Sequence, residues 1–353
     1  MFPPNFNPQL LSALLDWLWR SWISFGVTGH GAAARQDRDI DPEALLLASS
    51  RWARHDPRLF DEILDWLCQH GHLIHLQRLQ NLQRGGLGDP RVLSAIAAVL
   101  QEHSPHSKWK TLAAKADAPP APEPLFLSLK ERTAFWGQPD PLFARHGFQR
   151  GRLELRQLSQ APDPRRAANF WLKLRALFGT SARAEILLHL LTTGPATATE
   201  IARHTGYTTR SILLPLREMA LSGHVCEPPR PARTRPQRGK SSPTRTRGPS
   251  LSYSLRPEEW RFLRTWDDPA GFPAVESPMP LLRLCQIALL QTVTPASGSP
   301  ALQNLQLGQA AAIPLAEMHR LGLSGIYGLP PDLTGDSLAA ALAERLPALI
   351  ENL

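Results

Sequence analysis

The sequence predicts a mainly α-helical protein, with strand confined to a small β-hairpin wing near its centre. Three observations carry this expectation. Apolar residues recur at helical spacing through most of the 353 residues. Asp-Pro helix-start signals stand at Asp41-Pro42, Asp56-Pro57 and Asp163-Pro164. Strand-like text is limited to Leu251–Leu255 and a short run at Arg152–Leu158. The length suits two or three domains, each with a core of its own.

The N-terminal helix is expected over residues 8–24, with Leu11, Leu14, Leu15, Leu18 and Trp22 on one face. It has no basic leader and no small-residue cleavage site. Asp16 and Arg20 interrupt its apolar run at the spacing of a surface pair. A membrane span wants about 20 largely uncharged residues, so the segment reads as a helix of a non-membrane, cytoplasmic protein. Pro42 opens a second helix, to about Arg54, with Asp41 as its N-cap. A third runs from Pro57 to Cys68, and two more cover Leu73–Leu82 and Pro90–His103. Residues 1–115 are therefore expected as an all-α N-terminal domain. Its tryptophans (Trp17, Trp19, Trp22, Trp52 and Trp66) read as core or interface anchors. Residues 116–124 read as a stiff Pro-rich linker and 125–162 as an irregular connector.

From Asp163 a helix with Ala167, Phe170, Trp171, Leu174, Leu177 and Phe178 as its stripe should end at Gly179. An apolar helix begins at Ser181 and stops before Gly194. Thr197 and Glu200 then form a T-x-x-E capping box, Gly206 permits a tight turn, and Thr208 is placed as the N-cap of a third helix. Ile212, Leu216 and Met219 share one face of that helix, opposite Arg210, Leu214 and Arg217. Beyond it lie Arg230, Arg233, Arg235, Arg238, Lys240, Arg245 and Arg247, with no acidic residue among them. The formal net charge is +8, so this one stretch carries most of it and the rest of the chain is near neutral. Localised basicity points to docking on phosphates.

This order of helices, turn and basic loop resembles the winged-helix regulators of the MarR and ArsR kind, over residues 163–266. The resemblance implies that the third helix enters a DNA major groove, with Thr208, Thr209, Arg210, Ser211, Leu214 and Arg217 toward the duplex. It implies that the wing, 229–249, reaches flanking phosphates or a narrow minor groove. It further implies double-stranded DNA as partner, a homodimer, and a role in transcription regulation. Two features depart from the family pattern: Pro215 lies inside the third helix, and the wing is long. The alternative is an antitoxin-like adaptor that holds a protein partner with the same module. Residues 267–353 are expected as a helical C-terminal region. The N-terminal domain is the expected place for a small-molecule effector or protein partner.

Other motifs weigh little. Cys68, Cys226 and Cys285 are widely spaced and include no C-x-x-C, which fits a reducing compartment and no disulfide framework. Cys68, His70, His72 and His75 crowd together, but no second ligand pair stands at zinc-finger spacing. The glycines of residues 85–90 and the RGKSS at 238–242 lack P-loop or dinucleotide context. No catalytic motif and no cofactor motif is present, so the expectation is a non-enzyme with no metal or cofactor.

Overall fold

The structure is a computed structural model that describes residues 2–3, 5–29, 38–114, 121–127, 138–227, 252–264, 271–274, 277–293 and 299–353. It is mainly helical, as expected, and the described strands are two-residue pairs. Among the described residues no helix is long and apolar enough to cross a membrane.

The chain packs as two compact units. One gathers 1–36, 40–163 and 276–353; the other gathers 37–39 and 164–275. This redraws the chain-order division of the sequence analysis, because the C-terminal helices join the N-terminal ones.

In the first unit, α1 (Phe6–Phe25) buries Leu10, Leu14, Trp17, Leu18, Trp22 and Phe25, while Leu11 and Leu15 are only half-buried. The inward face is thus rotated from the expected stripe. The indoles decide it, since each buries a large apolar area and needs a partner for its N–H. Trp22 Nε1 donates to Ser49 Oγ at 2.9 Å, and Trp66 Nε1 donates to the Phe25 carbonyl at 2.7 Å. The helices α2 (Pro42–Trp52), α3 (Pro57–His70), α5 (Pro90–His103) and α7 (Pro141–Arg145) all begin alike. Asp41, Asp56, Asp89 and Asp140 accept from first-turn amides, and the next residue is a proline that has no amide to leave unpaired. Between α3 and α5 lies α4 (Leu76–Gln83), shorter than expected. Its buried Arg78 donates to Asp41 and to Glu43, each at 2.6 Å.

After α6 (Lys110–Ala113), the end of the expected linker is structured. Glu123–Pro124 forms β1, paired in parallel with Phe148–Gln149, β2. Arg54 donates to Glu123 and to the Leu125 carbonyl, which pins this crossing of the chain. The strand expected at 152–158 is not one. Asp65 of α3 accepts the amides of Gln157 at 2.6 Å and Ser159 at 3.0 Å, so the segment spends its donors on a carboxylate instead of a ladder.

The second unit contains α8 (Phe170–Phe178), α9 (Ala182–Thr192), β3 (Ala196–Thr197), α10 (Ala198–Thr205), α11 (Thr209–Leu221) and β4 (Ser252–Tyr253). The helix expected from Asp163 starts late, after a 3-10 turn at Ala167–Asn169, and Leu177 faces solvent instead of completing the stripe. The unit also holds a 3-10 helix, Pro257–Leu263.

The chain then returns to the first unit with α12 (Met279–Val293), α13 (Pro300–Arg320), α14 (Leu323–Tyr327) and α15 (Gly335–Glu351). α15 buries Leu338, Leu342, Leu346 and Ile350 and packs along α1. Arg20, expected to pair with Asp16, donates to the Glu351 carbonyl at 3.0 Å.

Candidate nucleic-acid interface

The core of the second unit forms where α8, α9, α10 and α11 meet. Phe170, Leu174, Ile186, Leu190, Ile201, Ile212 and Leu216 are all buried there, with Tyr253 and Trp260 closing one side. This core dictates which face of each helix is left for solvent.

α10 starts with the expected capping box. The Glu200 amide donates to Thr197 Oγ1 at 3.2 Å, and the Thr197 amide donates to Glu200 Oε2 at 2.7 Å. That backbone hydrogen bond, helped by the Thr197 hydroxyl, holds the Glu200 carboxyl below its ordinary range. The helix ends at Gly206, whose φ of 74° and ψ of 14° lie in the left-handed region that glycine enters without steric cost. Only two residues later Thr208 caps α11. Its Oγ1 accepts from the Ser211 amide at 3.2 Å and lies 2.7 Å from the Ser211 hydroxyl. The turn is short because one helix is closed by a glycine and the next is opened by a threonine.

α11 is amphipathic in the expected sense. Ile212, Leu216 and Met219 are buried, while Thr208, Thr209, Arg210, Ser211, Leu214 and Arg217 are all exposed. The six residues of this segment singled out by sequence thus lie in the solvent-facing part of one capped helix start and helix. Leu221 follows on the same side at 89 % exposure, with Leu214 at 62 %. Pro215 is the seventh residue of the helix, well past its first turn. Having no N–H, it leaves the Ser211 carbonyl without the usual partner four residues on.

Two exposed groups near this face escaped the sequence reading. Arg183, at the start of α9, forms an ion pair with Glu218 of α11 and so offsets the acidic residue next to Arg217. Arg203, in the last turn of α10, is exposed as well. Both lie on helices marked in the sequence by their apolar pattern alone, and neither belongs to a basic run.

The small sheet lies beyond α11. β3 pairs antiparallel with β4, Ala196 opposite Tyr253 and Thr197 opposite Ser252. Cys226 and Ser254 then exchange both backbone bonds, at 2.8 and 3.1 Å. The chain therefore leaves and re-enters this sheet at one place, and the basic run stands between the two points. Arg230, Arg233, Arg235, Arg238, Lys240, Arg245 and Arg247 lie outside the described residues.

No protein family model, no curated protein and no solved structure matches this chain.

Elsewhere the chemistry is sparse. Among the described residues no group of three or more His, Cys, Asp or Glu side chains is placed to hold a metal ion. Cys68 is buried, and its thiol is pushed up to about 12 by that burial, with Asp65 adding to the effect. Cys285 is raised further still by complete burial. Burial lowers His70 and His72, and the nearby His106 and Lys108 lower His72 further. A groove of about 310 Å³ beside α3 is lined by Arg58, Asp61, Glu62, Asp65, Arg152, Glu154 and Arg156. Within the lining Arg156 pairs with Glu62, and Arg150, outside it, holds Asp61.

Proposed function

We propose that the second unit is a winged helix-turn-helix that binds double-stranded DNA, and that the protein is a sequence-specific transcriptional regulator. The observation that carries this reading is the pairing of two features on one small scaffold. A capped helix exposes Thr208, Thr209, Arg210, Ser211 and Arg217 together, and seven basic residues occur in the sequence between Cys226 and Ser254, which pair in the adjoining sheet. The order α9, β3, α10, α11, an arm at Cys226 and then β4 follows the order of a winged helix.

In this reading α11 enters the major groove by its N-terminal half. Hydroxyls and amides at a helix start suit phosphate oxygens, because the helix dipole adds a partial positive charge there. Arg210 can donate two bonds to the O6 and N7 of a guanine, while Leu214 meets thymine methyl groups. The basic run contacts flanking phosphates and supplies affinity without reading sequence.

The test is binding of the full chain to duplex DNA across a salt series. Log affinity should fall with log salt at a slope of about −0.9 for each phosphate contact. Absence of binding, or binding indifferent to salt, overturns the reading. In that event the exposed Leu214 and Leu221 favour the adaptor reading, in which the same face of α11 takes an apolar protein partner.

A further inference from the structure

α13 buries Leu307, Ala311, Leu315 and Met318 against its own unit and leaves its other side uncovered. On that side Leu302 is 41 % exposed, Leu305 57 % and Ile313 73 %, with Gln309, Ala312 and Ala316 exposed among them. Leu302, Leu305, Gln309, Ala312 and Ala316 follow the alternating three-and-four spacing of a helix seam that packs on another helix. No charged residue occurs from Pro300 to Ala316. The first, Glu317, is engaged by Arg283 at 2.7 Å and by Arg320 of the next turn. A helix of 21 residues with one such face has an apolar strip about 25 Å long turned to water.

We propose that this face docks a second copy of the chain, with the two α13 helices antiparallel about a two-fold axis at Gln309. Its large apolar positions are self-complementary about that residue, while Ala312 falls opposite the partner's Gln306. Leu305 and Ile313 are each four residues from Gln309, and Leu302 and Ala316 are each seven away. Antiparallel pairing therefore sets Leu305 against the partner's Ile313, Leu302 against the partner's Ala316, and the Gln309 amides against each other. A two-fold contact brings a surface onto itself, so any charge on it meets its like, and a face without charge suits this partner. Gly308 adds room, since nothing lies within 4 Å of where a Cβ would sit. A helix that lies on a membrane carries a basic border instead, and this face is bordered by glutamines. The inference concerns the first unit and holds whether or not the second unit binds DNA.

The experiment measures the molar mass of the full chain in solution by light scattering and sedimentation, without DNA. The wild type is expected to be a dimer. Leu305→Glu and Ile313→Lys, each alone, should raise the dissociation constant by about 100-fold or more, because each change enters the contact twice. The double variant should be a dimer again, as each new carboxylate faces a new ammonium across the axis. Within one helix the two positions are about 12 Å apart, too far to pair. All three sites are exposed, so each variant should keep a cooperative thermal transition, with its midpoint lowered only by the loss of the dimer. If a charged variant loses that transition, Gln309→Lys brings two like charges to the axis and must dissociate the dimer. A monomeric wild type at about 10⁻⁵ M, or dimers indifferent to the single changes, would overturn the proposal, and so would a double variant that stays monomeric.

Discussion

The carboxylate of Glu185 holds the guanidinium of Arg175 at 2.8 Å with neither side chain reaching solvent. Glu185 Oε2 also accepts from Trp171 Nε1 at 2.9 Å, and the Arg175 guanidinium lies 5.3 Å from the Trp171 ring centre. This network locks α8 onto α9 and so sets the frame on which α10 and α11 pack. Removing one charge breaks an ion pair that lies in a dry site. Glu185→Gln is predicted to cost about 3–5 kcal/mol, while Glu185→Leu with Arg175→Met should recover most of it. Hydrogen exchange of the α9 amides in the full chain reports the loss locally, and an unchanged protection pattern would contradict the assignment.

The histidines make the protein sensitive to acid. Burial, with His204 beside it at a ring distance of 4.8 Å, pushes His189 down to about 4. Between that value and the usual 6.5 the unfolded chain holds a proton that the folded chain does not. Stability should thus fall as pH drops through this window, by up to about 1.4 kcal/mol per pH unit for this one group. Glu200, held low by its cap bonds, acts in the same direction at lower pH. His189→Gln should flatten the profile of unfolding midpoint against pH, and an unaltered slope would remove His189 from the account.

Pro215 is the worst local fit in the second unit, because α11 runs from Thr209 through it to Leu221. An interior proline costs on the order of 3 kcal/mol relative to alanine. Pro215→Ala should raise the thermal midpoint and, if the bend aims Arg210 and Arg217 at different parts of the groove, weaken specific DNA binding more than non-specific binding. A stability gain with specificity intact would leave Pro215 without a role in recognition.

Arg210 and the basic run should divide the work of binding. Deleting 233–247 is expected to weaken all duplexes alike and reduce the salt slope. Arg210→Ala should cost about 1–3 kcal/mol at the preferred site and relax base preference there. Equal, uniform losses from both changes would make Arg210 one more phosphate contact.

Thiol labelling should separate the three cysteines. Cys226 is half-buried at the root of the basic run, whereas Cys68 and Cys285 are buried with raised thiols. A maleimide should modify Cys226 first, and the other two only with unfolding. Early modification of Cys285 would show that α12 opens readily.

Local rules were legible in the sequence wherever a residue's task is settled within a turn or two. The Asp-Pro starts at Asp41 and Asp56, the box of Thr197 and Glu200, the left-handed Gly206 and the two faces of α11 all depend on neighbours at most a few residues away. Long-range choices were not legible. Periodicity shows that α1 and α15 each have an apolar face, but many apolar faces are interchangeable partners, and only packing the whole chain joined the two. The inward face of α1 departs from its periodic stripe for the same reason, since Ser49 lies 27 residues from the Trp22 it accepts from. Arg152–Leu158 reads as a strand because alternation is all the sequence displays. The tertiary structure brings Asp65, 92 residues from Gln157, to take the amides that a sheet would have used. Short-range hydrogen bonding and steric limits are written in consecutive residues, while the competition among distant donors and apolar faces is decided only when the chain is folded.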